Sequence, residues 1–135
     1  MRKTRTLSLL LALVFCFSVL NSTVFATSTY TNHVNLTVTS FRIDADGLAH
    51  VNTSLVGKSD VMTEATIVIM LYRRVMLLFW ERTTIKVLKT TDIYYENSFA
   101  YQLPQSGTYK CEVEYTIVGT AGEDDVILFE DTASY

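Results

Sequence analysis

One proline and five glycines are all that this 135-residue chain holds of the two residue types that punctuate loops and linkers. That scarcity excludes a collagen-like or low-complexity chain. Charged residues make up only 19% of the chain and hydrophobic ones 49%, which excludes a disordered chain: there is enough apolar surface to offset the entropy of ordering. Basic residues number 11 against 14 acidic ones, so no nucleic-acid partner is expected, since such a partner requires a basic face. A length of 135 residues also excludes a multidomain enzyme, because roughly 100–200 residues make one domain.

The N-terminus is where the apolar residues are concentrated. Arg2, Lys3 and Arg5 precede an almost wholly apolar stretch over residues 7–20. That stretch is too short for a spanning helix of roughly 20 residues. Asn21, Ser22 and Thr23 follow, and Val24 and Ala26 occupy the −3 and −1 positions of a cleavage site. Charge, apolar core and small-residue site in this order read as a secretory signal peptide over residues 1–26, cleaved after Ala26. The alternative is a short membrane anchor. Leu13 to Cys16 also has the outline of a lipidation box, but Phe15 is too large for the position before the cysteine. Cleavage removes three basic residues and no acidic one, so the mature protein is more acidic than the formal −3 of the whole chain. It also removes Cys16 and leaves Cys111 alone, so no internal disulfide is expected. Cys111 is then either buried or an intermolecular thiol.

Residues 27–32 are polar and read as a flexible arm. From residue 33 on, β-branched and aromatic residues recur with a period of two, the strand signal. In residues 35–41, Leu36 and Val38 point one way and Thr37 and Thr39 the other. Phe41 and Ile43 follow on the opposite parity, which predicts a bulge near Ser40. Strands are further expected at 48–56, with Ala49, Val51, Thr53 and Leu55 inward, and at 65–72, apolar on both faces. A hairpin tip is expected near 73–77, with its return strand at 80–88. Residues 93–103 form the next strand, ended by Pro104. In residues 109–117, Tyr109, Cys111, Val113, Tyr115 and Ile117 alternate with polar residues, and a last strand covers 126–129. Seven or eight short, evenly spaced strands predict one all-β antiparallel sandwich over residues 33–135.

Ser106-Gly107-Thr108-Tyr109-Lys110-Cys111 resembles the sixth-strand signature of immunoglobulin domains, in which a tyrosine precedes the cysteine by two. The resemblance implies that the Tyr109 hydroxyl bonds back to the backbone before its strand. It places Cys111 at the position of the disulfide cysteine. The partner cysteine is absent, because Ala49, Val51 and Thr53 occupy the inner face of the second strand. Trp80 stands too near Cys111 to be the immunoglobulin core tryptophan. The chain therefore resembles the broader immunoglobulin-like or fibronectin type III-like sandwich. Across most of residues 33–132 it also resembles small secreted proteins of Gram-positive bacteria built on such a sandwich. That likeness implies a fold and an extracellular address, and no activity.

Candidate sites are few. Asp44-Ala45-Asp46-Gly47 has the start of a calcium loop, but Leu48 stands where a third oxygen ligand belongs, so it reads as an Asp-Gly turn. His33, His50 and Cys111 are too dispersed for a zinc site, which wants three or four nitrogen or sulfur ligands. Cys111 with a histidine is a formal nucleophilic pair, yet it lies mid-strand between inward residues and reads as core. Asn35 and Asn52 head glycosylation sequons. No metal, no cofactor and no catalytic constellation is expected, and the chain is read as a non-enzyme. Charge is uneven: residues 73–89 hold five cations and one acid, and residues 111–135 hold seven acids and no cation. That asymmetry suits pairing across the sandwich, or steered association with a partner or a second copy.

The most informative segment runs from Tyr72 to Trp80. Hairpin tips are normally polar, whereas here Arg73 and Arg74 are followed by Val75, Met76, Leu77, Leu78, Phe79 and Trp80. Arginine with tryptophan and tyrosine is also the composition of interface hot spots. Arg73, Arg74, Val75, Met76, Leu77 and Trp80 are the candidate interaction residues, with Tyr109 and Cys111 structural. The leading expectation is a secreted, non-catalytic interaction module acting on an unknown protein, with self-association allowed. The alternative is a carbohydrate-binding module for a cell-surface glycan, using outward tyrosines such as Tyr72 and Tyr94. A further alternative is a membrane-active protein that inserts the same hairpin.

Overall fold

The computed structural model describes residues 23–27 and 31–135. Eight strands follow one another, with no helix among the described residues: β1 (Thr23–Thr27), β2 (Val34–Ile43), β3 (Leu48–Gly57), β4 (Met62–Val75), β5 (Phe79–Thr90), β6 (Tyr94–Gln102), β7 (Thr108–Gly119) and β8 (Asp125–Ser134). They form two four-stranded sheets, ordered β1-β2-β3-β6 and β5-β4-β7-β8, and every pairing is antiparallel. The chain is thus an all-β antiparallel sandwich. The expected basic region, apolar core and lipidation box of the leader lie outside the described residues. β1 spans the expected cleavage point after Ala26 and includes Thr27 of the expected arm. At the other end of that arm Asn32 is tied down, its N–H donating to Asp125 Oδ1 at 2.8 Å.

Alternation explains where each sheet turns its core face. On β7, Tyr109, Cys111, Val113, Tyr115 and Ile117 are buried, and the polar residues between them are half-exposed. On β4, Ala65, Ile67, Ile69 and Leu71 are fully buried, and these two central strands carry the densest part of the core. Ala49, Val51, Thr53 and Leu55 of β3 close it from the other sheet, as their parity predicts. Burying a side chain of the Val, Leu or Ile class stabilises by about 1.5–3 kcal/mol, so this face outweighs any single polar contact.

β2 departs from the expected pattern. No bulge occurs near Ser40; the register shifts between Val34 and Leu36 instead. Thr37, Thr39, Phe41 and Ile43 therefore face the core in one unbroken alternation. Two threonines are tolerated inside because their β-branched shape suits a strand. The Thr39 hydroxyl also has a partner, the Tyr115 phenol at 2.5 Å.

The ends of the sandwich are closed by specific anchors. Asp125 accepts from the His33 N–H at 2.6 Å and the Val34 N–H at 3.2 Å, joining the start of β8 to the start of β2. His33 is fully buried, and its Nε2 accepts from the Ala121 N–H at 3.3 Å. Its ring lies over Gly119, where an added Cβ would sit 2.2 Å from both the imidazole and the Val61 carbonyl. At the opposite end Tyr109 donates its hydroxyl to the Gln105 carbonyl at 2.7 Å. Its ring stacks on Tyr135, with centroids 6.2 Å apart.

Candidate functional site

The β4–β5 hairpin outruns its own sheet. β4 pairs with β7 only as far as Arg73 opposite Tyr109. Beyond that point Arg74 faces Trp80 and Val75 faces Phe79, with no third strand beside them among the described residues. Arg73, Arg74 and Val75, expected in the tip, are strand residues, and the tip itself is Met76, Leu77 and Leu78. The strands run on because the turn can close in three residues. Met76 takes a left-handed backbone, φ 57°, and the Arg74 guanidinium donates from Nε and Nη2 to the Leu77 carbonyl at 3.1 and 2.6 Å. A left-handed non-glycine residue costs about 1–2 kcal/mol. The arginine clamp satisfies a turn carbonyl that would otherwise rely on water.

The side chains of this tip stand in solvent. Met76, Leu77 and Leu78 are 81%, 79% and 83% exposed, and Phe79 follows at 65%. Overhang is the cause: the strand that flanks β4 lower down stops short of them. Cationic side chains surround the base. Arg73 pairs with Glu81 directly across the hairpin, at 3.6 Å.

Below the tip, Trp80 and Tyr72 flank one lysine. Lys110 Nζ lies 5.3 Å from the Trp80 ring centroid and 4.9 Å from that of Tyr72. It also reaches Glu112 Oε1 at 2.5 Å. That hydrogen bond holds the Lys110 ammonium above the usual lysine range. Partial burial, with Glu112 second, raises the Tyr72 phenol above its ordinary value. The cluster sets the Lys110 ammonium against both rings at the base of the tip. Sequence reasoning missed Lys110, because its place opposite Tyr72 depends on the β4–β7 register.

The other candidates are dispersed. Cys111 is fully buried between Leu71 of β4 and Asp131 of β8. Burial pushes its thiol far above the ordinary value, with Asp131 and Glu112 adding to the effect, so it is a core residue rather than a nucleophile or crosslink. His50 Nε2 on β3 sits 2.6 Å from Asp44 Oδ2, toward the other end of β2 from buried His33. Asp44 also binds Arg42, and the Asp46 carboxylate accepts from the Leu48 N–H at 3.3 Å, so both acids serve the turn. Gly47 there has φ 81°. Asn52 is engaged on the outer face of the first sheet, donating to Ser40 at 3.2 Å and accepting from Ser98 at 2.7 Å. This row lines a shallow concavity of about 420 Å³. Tyr94 is exposed on that sheet, whereas Tyr72 belongs to the outer face of the other, so the two tyrosines do not form one platform.

No family model matches the chain, and no curated protein matches it.

Proposed function

We propose that the chain is a secreted, non-catalytic binding domain of the immunoglobulin-like, fibronectin type III-like kind, which engages its partner by inserting the tip of the β4–β5 hairpin. One observation carries this reading: four consecutive large apolar side chains, Met76 to Phe79, stand exposed on a projecting turn. Folding gains nothing from them there. Burying each one in a partner releases about 1.5–3 kcal/mol, so together they supply the core of an interface. The Tyr109-to-Gln105 bond supports the immunoglobulin-like assignment, because it is the corner contact that the Ser106–Cys111 signature implies.

The test uses Trp80, the one tryptophan of the chain, which sits at the base of the tip. Docking of the tip shifts its emission to the blue. Replacing Met76, Leu77 and Leu78 with serine abolishes binding to the native surface while circular dichroism and the melting temperature are retained. Loss of folding in that variant, or binding that survives it, sinks the reading.

The cationic base, Arg73, Arg74 and Arg82, supports a second reading in which the tip enters an anionic lipid surface. Flotation with phosphatidylglycerol vesicles, read by the same Trp80 emission, separates the two.

A further inference from the structure

The edges of the two sheets are guarded unequally. β5 ends its sheet with Arg82, Lys86 and Lys89, and its pairing with β4 is broken by a register shift between Leu71 and Tyr72. β8 ends the same sheet on the other side with Glu130 and Asp131. β1, at one end of the first sheet, is only five residues long. Charges, bulges and short strands are the devices that keep an edge from pairing with another chain. β6, at the other end of the first sheet, lacks all three. It runs for nine residues, Tyr94–Gln102, pairs in unbroken register with β3, and holds one charge, Glu96. No strand lies on its far side among the described residues, which leaves a row of backbone N–H and C=O groups open.

The side chains of β6 show the same lack of cover. Tyr95, Phe99 and Tyr101 lie on its core side, opposite Leu55, Val51 and Ala49 of β3. Those three β3 residues are fully buried, whereas the aromatics that pack beside them are only half-buried.

We propose that the β6 edge pairs with the same edge of a second copy. A two-fold axis perpendicular to the sheet sets the two strands antiparallel and joins the two first sheets into one continuous sheet. With the axis through Ser98, the middle residue of β6, all nine residues overlap; every other register leaves an end unpaired. In this register Tyr95 meets Tyr101 of the partner subunit, and the reverse, on the core side. On the outer side Glu96 faces Ala100 of the partner subunit, so the two carboxylates are never opposed. A second copy is thus the occupant that fits: it matches the open strand in length, sets aromatic against aromatic, and meets its one charge with a methyl group. At about 3.4 Å per residue the seam is about 30 Å long, and one layer of about 10 Å deep it covers roughly 300 Å² per copy. That is below the roughly 800 Å² per partner of a standard interface, so the dimer forms in the micromolar range or weaker. The β4–β5 tip belongs to the other sheet, so the proposal does not depend on what the tip binds.

The test takes the chain expressed from residue 1 and purified as the host leaves it, with its N-terminus read by mass spectrometry. Sedimentation velocity from about 1 to 500 µM should show a dimer that grows with concentration. Ser98→Cys places two thiols across the axis, with Cα atoms about 4.5–5.5 Å apart, within the span of a disulfide. Under mild oxidant it should form a covalent dimer, counted against the unaltered chain on a non-reducing gel. Gln102→Cys should not, because its two copies lie eight residues apart along the seam, about 27 Å. Ser98 and Gln102 are both exposed, so neither change disturbs the core. Ala100→Glu sets a carboxylate against Glu96 of the partner subunit twice and should weaken the dimer about fivefold. Ala100→Lys sets an ammonium there and should not weaken it. The Met76, Leu77, Leu78 serine variant should dimerise normally. A monomer throughout, no crosslink in Ser98→Cys, equal crosslinking in Gln102→Cys, a dimer indifferent to Ala100→Glu, one weakened by Ala100→Lys, or one lost in the tip variant would each overturn the proposal.

Discussion

Tyr115 of β7 and Thr39 of β2 hold their hydroxyls 2.5 Å apart inside the core, joining the two sheets through their side chains. The phenol also donates to the Val38 carbonyl at 3.3 Å, so its oxygen accepts from Thr39 and both groups are satisfied. Tyr115→Phe leaves the Thr39 hydroxyl buried and unpaired, which costs about 1–3 kcal/mol. A urea melt should show the midpoint fall with an unchanged slope. The double variant Tyr115→Phe, Thr39→Val should recover part of that loss, and strict additivity would mean that the two residues do not interact.

Alkaline pH should act on the same bond. Burial pushes the Tyr115 phenol up to about 12, with the Thr39 hydrogen bond opposing and Cys111 adding to the rise. The folded state thus holds a proton that the unfolded chain releases near pH 10. The stabilisation is complete below the unfolded value and is lost as pH rises from about 10 through about 12. Burial raises the Cys111 thiol as well, so it weakens the fold in the same direction as pH climbs. The melting temperature should fall steeply above about pH 10. Tyr115→Phe should fall less steeply, and an identical slope in both would exclude the phenol as a cause.

Gly119→Ala tests the closed end of the sandwich. The new Cβ would sit 2.2 Å from the Val61 carbonyl, which is backbone and cannot swing aside. Destabilisation of about 2–3 kcal/mol or more is expected, with the His33 and Ala121 amide resonances displaced in a proton–nitrogen spectrum. A neutral substitution would show that the β7–β8 connection moves freely away from His33.

Met76→Asn should make the domain more stable and the tip a poorer ligand. Asparagine accepts the left-handed backbone that Met76 adopts at φ 57°, so a gain of about 1 kcal/mol is expected. Thermal melts check the first half and Trp80 emission on titration with the partner checks the second. Weaker binding with no gain in stability would mean that the turn is unstrained.

Much of the architecture is legible in the alternation of residues. Tyr109 to Ile117 and Ala49 to Leu55 point as their parity predicts, because apolar and polar side chains differ sharply there. β2 defeats the same reasoning because its inward residues include two threonines, and the burial of Thr39 is matched by a phenol from the other sheet. The hairpin lies where the sequence puts it, but its tip comes later than expected. Nothing in Arg73 to Val75 signals that a strand continues past its neighbour, since the overhang is set by where β7 begins, at Thr108. The outward placement of Val68 and Met70 on β4 is hidden for a related reason. Residues 65–72 read as apolar on both sides, and only the sheet order shows that one side has no cover among the described residues.

Within residues 27–135 Cys111 is the one cysteine, and it lies buried between the two sheets. A thiol reagent can meet it only in molecules that have opened. If closing outruns labelling, the observed rate is the intrinsic rate multiplied by the opening equilibrium constant. For a domain of ordinary stability, about 5–15 kcal/mol, that slows labelling by some thousandfold or more. The sandwich therefore carries its own clock for global opening, readable by mass spectrometry in mixtures where no melt could be followed.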